Sequence, residues 1–177
     1  MKRIILIVLA VASLAGCGKM LITERNGVFI DNAKKIELRS AFDGGNDPSP
    51  DYSCNWVYIF PEKYSEDQDL TGIQYAVYIE GIETEGKEYK GHGDNICKIT
   101  VNDLASVGDL VIPMNQGVYE GGNELVSSVK IVEYSNGAID KDGNRVEPSR
   151  FIFEIGLVDG RTVVIRYVGV SFHDRRI

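Results

Sequence analysis

Alternation with a period of two constrains this chain more than any other feature of its sequence. Residues 54–60 read CNWVYIF, which sets Cys54, Trp56, Tyr58 and Phe60 on one face. Residues 73–80 read IQYAVYIE and group Ile73, Tyr75, Val77 and Ile79. Residues 96–101 read ICKITV, with Cys97, Ile99 and Val101 together and Lys98 and Thr100 opposite. Successive side chains of a strand point to opposite faces, so this pattern in β-branched and aromatic residues predicts half-buried strands. GVFID (27–31), KKIELR (34–39), DLVIPM (109–114) and VSSVKIVEY (126–134) are further strands of the same kind. The Trp56 and Tyr58 face is expected to be core. No segment sustains a helical period, and VNDLAS (101–106) alone suits a short helical turn.

The sharpest local expectation concerns FIFEIGLVDGRTVVIRYVGV, residues 151–170. A two-residue Asp159-Gly160 turn would set Phe153 opposite Arg166. A three-residue loop, with Gly160 left-handed, instead pairs Ile155 with Val163, Phe153 with Ile165 and Phe151 with Tyr167. The second register gathers the large apolar groups on one face and leaves Glu154 and Arg166 on the other. Burial specifies register, because a one-residue slip flips every side chain. The three-residue loop is therefore predicted.

Polar, Gly-rich segments separate the strands, among them 41–53, 80–95 and 135–149. Many short strands with such punctuation predict a single all-β domain, an antiparallel β-sandwich, with a lipocalin-like barrel as the alternative.

Before this body, Met1-Lys2-Arg3 is basic, Ile4 to Ser13 is uncharged and mostly apolar, and Leu14-Ala15-Gly16-Cys17 follows. Charge, apolar run and small residues in that order make a secretory signal, and the run is shorter than the ~20 residues a membrane span needs. LAGC resembles the lipobox of bacterial lipoproteins. The resemblance implies cleavage before Cys17, acylation of Cys17, and membrane lipid as a partner of the mature chain. Gly18 rather than Asp after the cysteine implies the outer membrane, by the sorting pattern of enteric bacteria. The strand-rich body behind a lipobox also resembles small envelope lipoproteins of outer-membrane-bearing gut anaerobes, which implies a β-sandwich and carries no catalytic residues. The expected organisation is a leader over 1–16, a lipidated tether over 17–25 and one β domain over 26–177.

Loss of the leader takes Lys2 and Arg3 with it, leaving 17 basic against 26 acidic side chains, a balance of −9. Nucleic acid and anionic headgroups call for basic patches, so such a surface argues against both. With Cys17 lipidated, Cys54 and Cys97 remain, and in an oxidising envelope compartment they are expected to form one disulfide. A loop of that length would contribute about 4 kcal/mol on the chain-entropy account.

Motifs for chemistry are sparse. DKDGN (140–144) resembles the start of a calcium loop, yet Arg145 stands where Gly is required and Phe151 where Glu is required. A turn explains the same letters. SEDQDLTG (65–72) carries three acids and reads as a solvated turn. Ser127-Ser128-Val129-Lys130 matches S-x-x-K, but on a strand Ser127 and Lys130 point to opposite faces. His92 and His173 each have an acid nearby, Asp94 and Asp174, without the three or four converging ligands of a metal site. The expectation is accordingly no cofactor, no metal and no catalytic residue. The preferred function is a non-enzymatic envelope lipoprotein that binds a protein or glycan or serves as an accessory subunit. A lipid-anchored hydrolase of envelope or dietary polymer and a subunit of a surface appendage are the alternatives. The binding reading predicts a flat or aromatic-lined surface; the hydrolase reading predicts two buried carboxylates facing a cleft.

Overall fold

The computed structural model describes residues 25–44, 54–82, 96–115, 118–135, 137–138, 141 and 146–173, with the backbone alone at 54, 55, 82, 96, 97, 115 and 173. The leader, Cys17 and the tether as far as Glu24 lie outside these residues, as do His92 and most of the DKDGN segment.

Among the described residues twelve strands form two sheets. They are β1 (Gly27–Ile30), β2 (Ala33–Glu37), β3 (Ser40–Gly44), β4 (Cys54–Phe60), β5 (Val77–Ile82) and β6 (Ile96–Leu104), followed by β7 (Gly108–Asn115), β8 (Val118–Tyr119), β9 (Val126–Ser135), β10 (Ser149–Leu157), β11 (Thr162–Gly169) and β12 (Ser171–His173). One sheet has the order β2-β1-β11-β10-β9, the other β12-β3-β4-β5-β6-β7-β8. Neither closes on itself, so the fold is a β-sandwich and not a barrel. All pairings are antiparallel except β12 on β3.

The core lies between the inner faces. Val57, Ile59, Val77, Ile79, Ile99, Val101, Leu110 and Ile112 come from the larger sheet. Val28, Ile30, Ile131, Phe151, Phe153, Ile155, Val163 and Ile165 meet them from the smaller one. The hairpin β10–β11 adopts the predicted register, Ile155↔Val163, Phe153↔Ile165 and Phe151↔Tyr167, and Gly160 takes φ +88°. Gly160 N donates to Leu157 O and Leu157 N to Arg161 O, closing a three-residue loop. Beside it the Arg161 guanidinium holds the Asp159 carboxyl below its usual range. The β1–β2 turn also runs left-handed, at Asp31 (φ 48°) and Asn32 (φ 68°), two residue types that tolerate this region better than most. Asn26 extends β1 by one further step, since its amide both donates to Val168 O (3.0 Å) and accepts from Val168 N (2.8 Å).

Several expectations are corrected. VNDLAS makes no helical turn: Val101–Leu104 ends β6, and a bulge there leads into the turn to β7. Segment 41–53 begins with a strand, β3, and the SFH tail forms β12. Strand order also stands against the expected Cys54–Cys97 disulfide. Cys54 opens β4, Cys97 lies in β6, and β5 runs between them. Two inter-strand spacings come to roughly 9.5 Å. Two α-carbons more than ~7 Å apart cannot be bridged without moving the backbone. The side chains of both cysteines lie outside the described residues.

Candidate functional site: an aromatic sheet face

Strand β4 is apolar on both faces, and the sandwich buries the face opposite to the one expected. Val57 and Ile59 enter the core, while Trp56, Tyr58 and Phe60 lie on the outer side of the seven-stranded sheet. The physical reason is the polar tip. An indole N–H or a phenol at the sandwich centre would need a partner there, whereas Val and Ile carry no such demand. The signal was present in the sequence: the β-branched aliphatics of β4 all share one parity.

Register then assembles two rows across the sheet. One runs Phe172, Phe42, Tyr58, Tyr78, Thr100, Val111 over β12, β3, β4, β5, β6 and β7. The next runs Gly44, Trp56, Glu80, Lys98, Pro113. Tyr58 and Tyr78 are direct cross-strand partners with ring centroids 4.8 Å apart, and Trp56 packs on Tyr58 at 4.9 Å. At the β12 side Phe42 meets Phe60 edge-on at 5.9 Å and Phe172 at 5.4 Å. Aromatic pairs of this kind contribute about 0.5–1.5 kcal/mol each beyond their area burial. Phe42 (1 % exposed) and Phe60 (2 %) are covered, whereas Trp56, Tyr58, Tyr75 and Tyr78 are half-buried.

Gly44 explains why Trp56 can lie where it does. A Cβ at this position would run into the indole, so the ring occupies the space that any other residue opposite Trp56 would fill. An aromatic side chain laid across a glycine also shields a weak point of the sheet.

The connection from β4 to β5, residues 61–76, brings two more rings to this face. Tyr64 stands edge-on to Phe60 at 5.3 Å, and Tyr75 packs on Tyr58 at 5.0 Å and on Tyr78 at 5.8 Å. Hydrogen bonds hold the connection in place. Ser40 Oγ donates to Glu62 O, Asn102 Nδ2 to Tyr75 O, and Ala76 N to Ile59 O. In the SEDQDLTG turn Asp69 accepts from Thr71 N at 2.9 Å, and Gly72 supplies the left-handed residue at φ +75°.

Electrostatically the two rows are balanced. Glu80 and Lys98 face each other across β5 and β6 with N···O 3.7 Å, and the Lys98 ammonium also sits 5.4 Å from the Tyr78 ring centre. Partial burial raises the Tyr58 pKa above its ordinary value, with Tyr75 and Glu80 adding to the effect.

Elsewhere the polar chemistry is structural in form. Asp43, 7 % exposed, accepts a short hydrogen bond from Ser171, whose hydroxyl meets that of Ser149 at 2.8 Å. This chain ties β12 to β3 and joins the two sheets. Among the described residues no three His, Cys, Asp or Glu side chains come close enough to share a metal ion. Ser127 and Lys130 sit on the edge strand β9, where Lys130 pairs with Glu154. His173 pairs by backbone with Asp43 in the β12–β3 register. Tyr119 lies in β8, and its hydroxyl donates to Asn123 O at 2.8 Å. Cys17, Tyr52 and Tyr89 fall outside the described residues.

What this arrangement offers chemically is a surface: rings with polar tips, set by strand register and flanked by the Glu80–Lys98 ion pair. No protein-family model, no curated protein and no solved structure matches the chain.

Proposed function

We propose that the protein is a lipid-anchored binding protein of the cell envelope, held in the outer membrane through acylated Cys17, and that the aromatic face of its larger sheet takes the partner, a protein or a glycan. The observation that carries the reading is the cluster of half-buried rings around Tyr58 on an outward sheet face. Contiguous apolar surface left facing water on a domain with a complete core marks an interaction site. Aromatic residues with polar tips suit it, because they supply large rigid contact area at low entropic cost.

A melting-temperature screen of the protein against glycans and peptides tests this, since a ligand of the folded state alone raises stability with the logarithm of its concentration. The shift is expected in wild type and lost when Trp56 and Tyr78 are both changed to Ala. A ligand whose shift survives that double change would move the site elsewhere, and turnover of a polymer would replace the binding reading with the hydrolase one. Labelled fatty acid should enter the wild-type protein and not Cys17→Ser; label retained by the variant would remove the anchor.

A further inference from the structure

Resting on that reading, we infer that the occupant of the aromatic face is an uncharged oligosaccharide, gripped through its C–H faces by Trp56, Tyr58, Tyr75 and Tyr78 and through its hydroxyls by Glu80 and Lys98. Three features of the surface select this chemistry over a charged polymer or an aliphatic peptide.

The first is charge. The chain carries 26 acidic against 19 basic residues, yet the ionised groups in the two rows are one Glu and one Lys, paired at 3.7 Å. A polyanion would meet no excess of positive charge here and would be repelled by the rest of the chain. A polycation would find its acid already partnered. An uncharged ligand loses nothing in either respect.

The second is the kind of apolar surface. Around Tyr58 it is made of ring faces and edges, tilted 31° at Tyr78, 54° at Tyr75 and 60° at Trp56. Such a surface presents ring faces at several inclinations, whereas protein interfaces are dominated by side-chain anchors seated in pockets. Sugar rings are shallow, with axial C–H groups that pack against an aromatic face and hydroxyls that project around the rim. The hydroxyls then need partners of both senses. The Glu80 carboxylate accepts, the Lys98 ammonium donates, and tyrosine hydroxyls do both.

The third is preorganisation. Tyr58 and Tyr78 are fixed by direct cross-strand pairing, Trp56 by its seat over Gly44, and Tyr75 by the Asn102 bond to its carbonyl. Weak individual contacts to a hydroxylated ligand give useful affinity only when the protein side is already ordered.

Trp56 is the only tryptophan in the chain, so its emission reports from inside the site. The full chain, in a detergent without a sugar headgroup, is titrated with neutral oligosaccharides of glucose, mannose, xylose, galactose and N-acetylglucosamine, and with oligogalacturonate and oligolysine as charged counterparts. At least one neutral oligomer should change Trp56 emission saturably, with an affinity that holds from low salt to ~0.5 M, where charge attraction is screened. Tyr78→Ala should weaken it by about tenfold or more, the equivalent of 1.4 kcal/mol. Tyr78→Phe, which keeps the ring and the fold, should weaken it several-fold, whereas Lys130→Ala on the opposite sheet should leave it unchanged. Saturable, salt-sensitive response to the charged probes alone would overturn the neutral-glycan inference and leave a binding face standing. Silence from the neutral oligomers overturns it as well, and leaves the binding reading to be decided by the peptides of the melting-temperature screen.

Discussion

The two sheets share one core but turn different chemistry outward. On the five-stranded sheet Lys130 pairs with Glu154 at 3.6 Å and Arg150 with Glu133 at 3.2 Å, in ladders across β9 and β10. Phe29, an outward aromatic of β1, is covered to 3 % exposure. On the seven-stranded sheet the corresponding positions of β4 and β5 hold Trp56, Tyr58 and Tyr78, and the Glu80–Lys98 ion pair borders them. A ladder of exposed ion pairs adds little stability, with a median of about 0–1 kcal/mol per pair, and chiefly keeps a sheet face wet. Rings left half-exposed retain apolar area that water solvates unfavourably. The contrast therefore separates a face built for solvent from one whose unburied area is available to a partner.

The largest effect on this contrast should come from Gly44→Val. The new side chain needs the space of the Trp56 indole, and overpacking of this kind costs about 1–3 kcal/mol. Denaturant melts should show that loss, and Trp56 emission should move to longer wavelength as the ring is driven into water. Unchanged emission would mean that Gly44 does not seat the indole. A valine at Gly27, which faces the backbone of β2 on the other sheet, should destabilise without altering Trp56 emission.

Gly44 also shows why part of this molecule was hidden in its sequence. AFDGG reads as a turn by every local criterion, since Asp and Gly are turn formers. Here the tertiary setting reverses their meaning. Asp43 is a strand residue because Ser171 partners its buried carboxylate, and Gly44 is one because a large ring covers it. Ser171 lies 128 residues from Asp43, so the pattern of the segment itself could not reveal β3. The hairpin β10–β11 is the opposite case. Its register follows from one turn and the burial of Phe151, Phe153 and Ile155, all local, and it was legible to the residue. The aromatic site falls between. Its residues stood out in the sequence, but their face did not, because both parities of CNWVYIF are apolar and only the choice of which to bury separates core from surface. The Cys54–Cys97 expectation failed for a related reason: cysteine counting carries no strand order, and β5 intervenes.

Alkali should produce a smaller and one-sided effect. Burial, with Tyr75 and Glu80 nearby, raises the Tyr58 pKa above 10.0, so the folded state favours the neutral phenol. The associated stability is fully present below the ordinary tyrosine value and is lost as pH rises from there through the raised folded value. Comparison of wild type with Tyr58→Phe isolates this one phenol among nine tyrosines. The wild-type protein should lose stability more steeply with rising pH in denaturant titrations. Parallel slopes would show that Tyr58 titrates alike in the folded and unfolded chain. Among the described residues the tyrosines of the five-stranded sheet, Tyr134 and Tyr167, face the core and not its outward ion pairs, so substitution of Arg150 should leave the alkaline slope as it is.

The smallest effect belongs to the ionic face, and its smallness is the point. Lys130 and Glu154 are direct partners across β9 and β10, both well exposed, with N···O 3.6 Å. A double-mutant cycle through Lys130→Ala and Glu154→Ala should give a coupling of about 0.2–1 kcal/mol at low salt, because water screens the pair and two long side chains lose freedom to make it. At ~1 M salt the Debye length falls to about 3 Å and the coupling should shrink towards zero. The same cycle on Glu80 and Lys98 should behave differently. Lys98 also lies over the Tyr78 ring, and its side chain and that of Glu80 (42 % and 36 % exposed) are less open to water than those of Lys130 and Glu154 (67 % and 48 %), so their coupling should fall less steeply with salt. A coupling that survives high salt on the aromatic face and vanishes on the ionic face would establish that the two sheets differ in dielectric character as well as in composition. Equal salt sensitivity of the two pairs would reduce that difference to the rings alone.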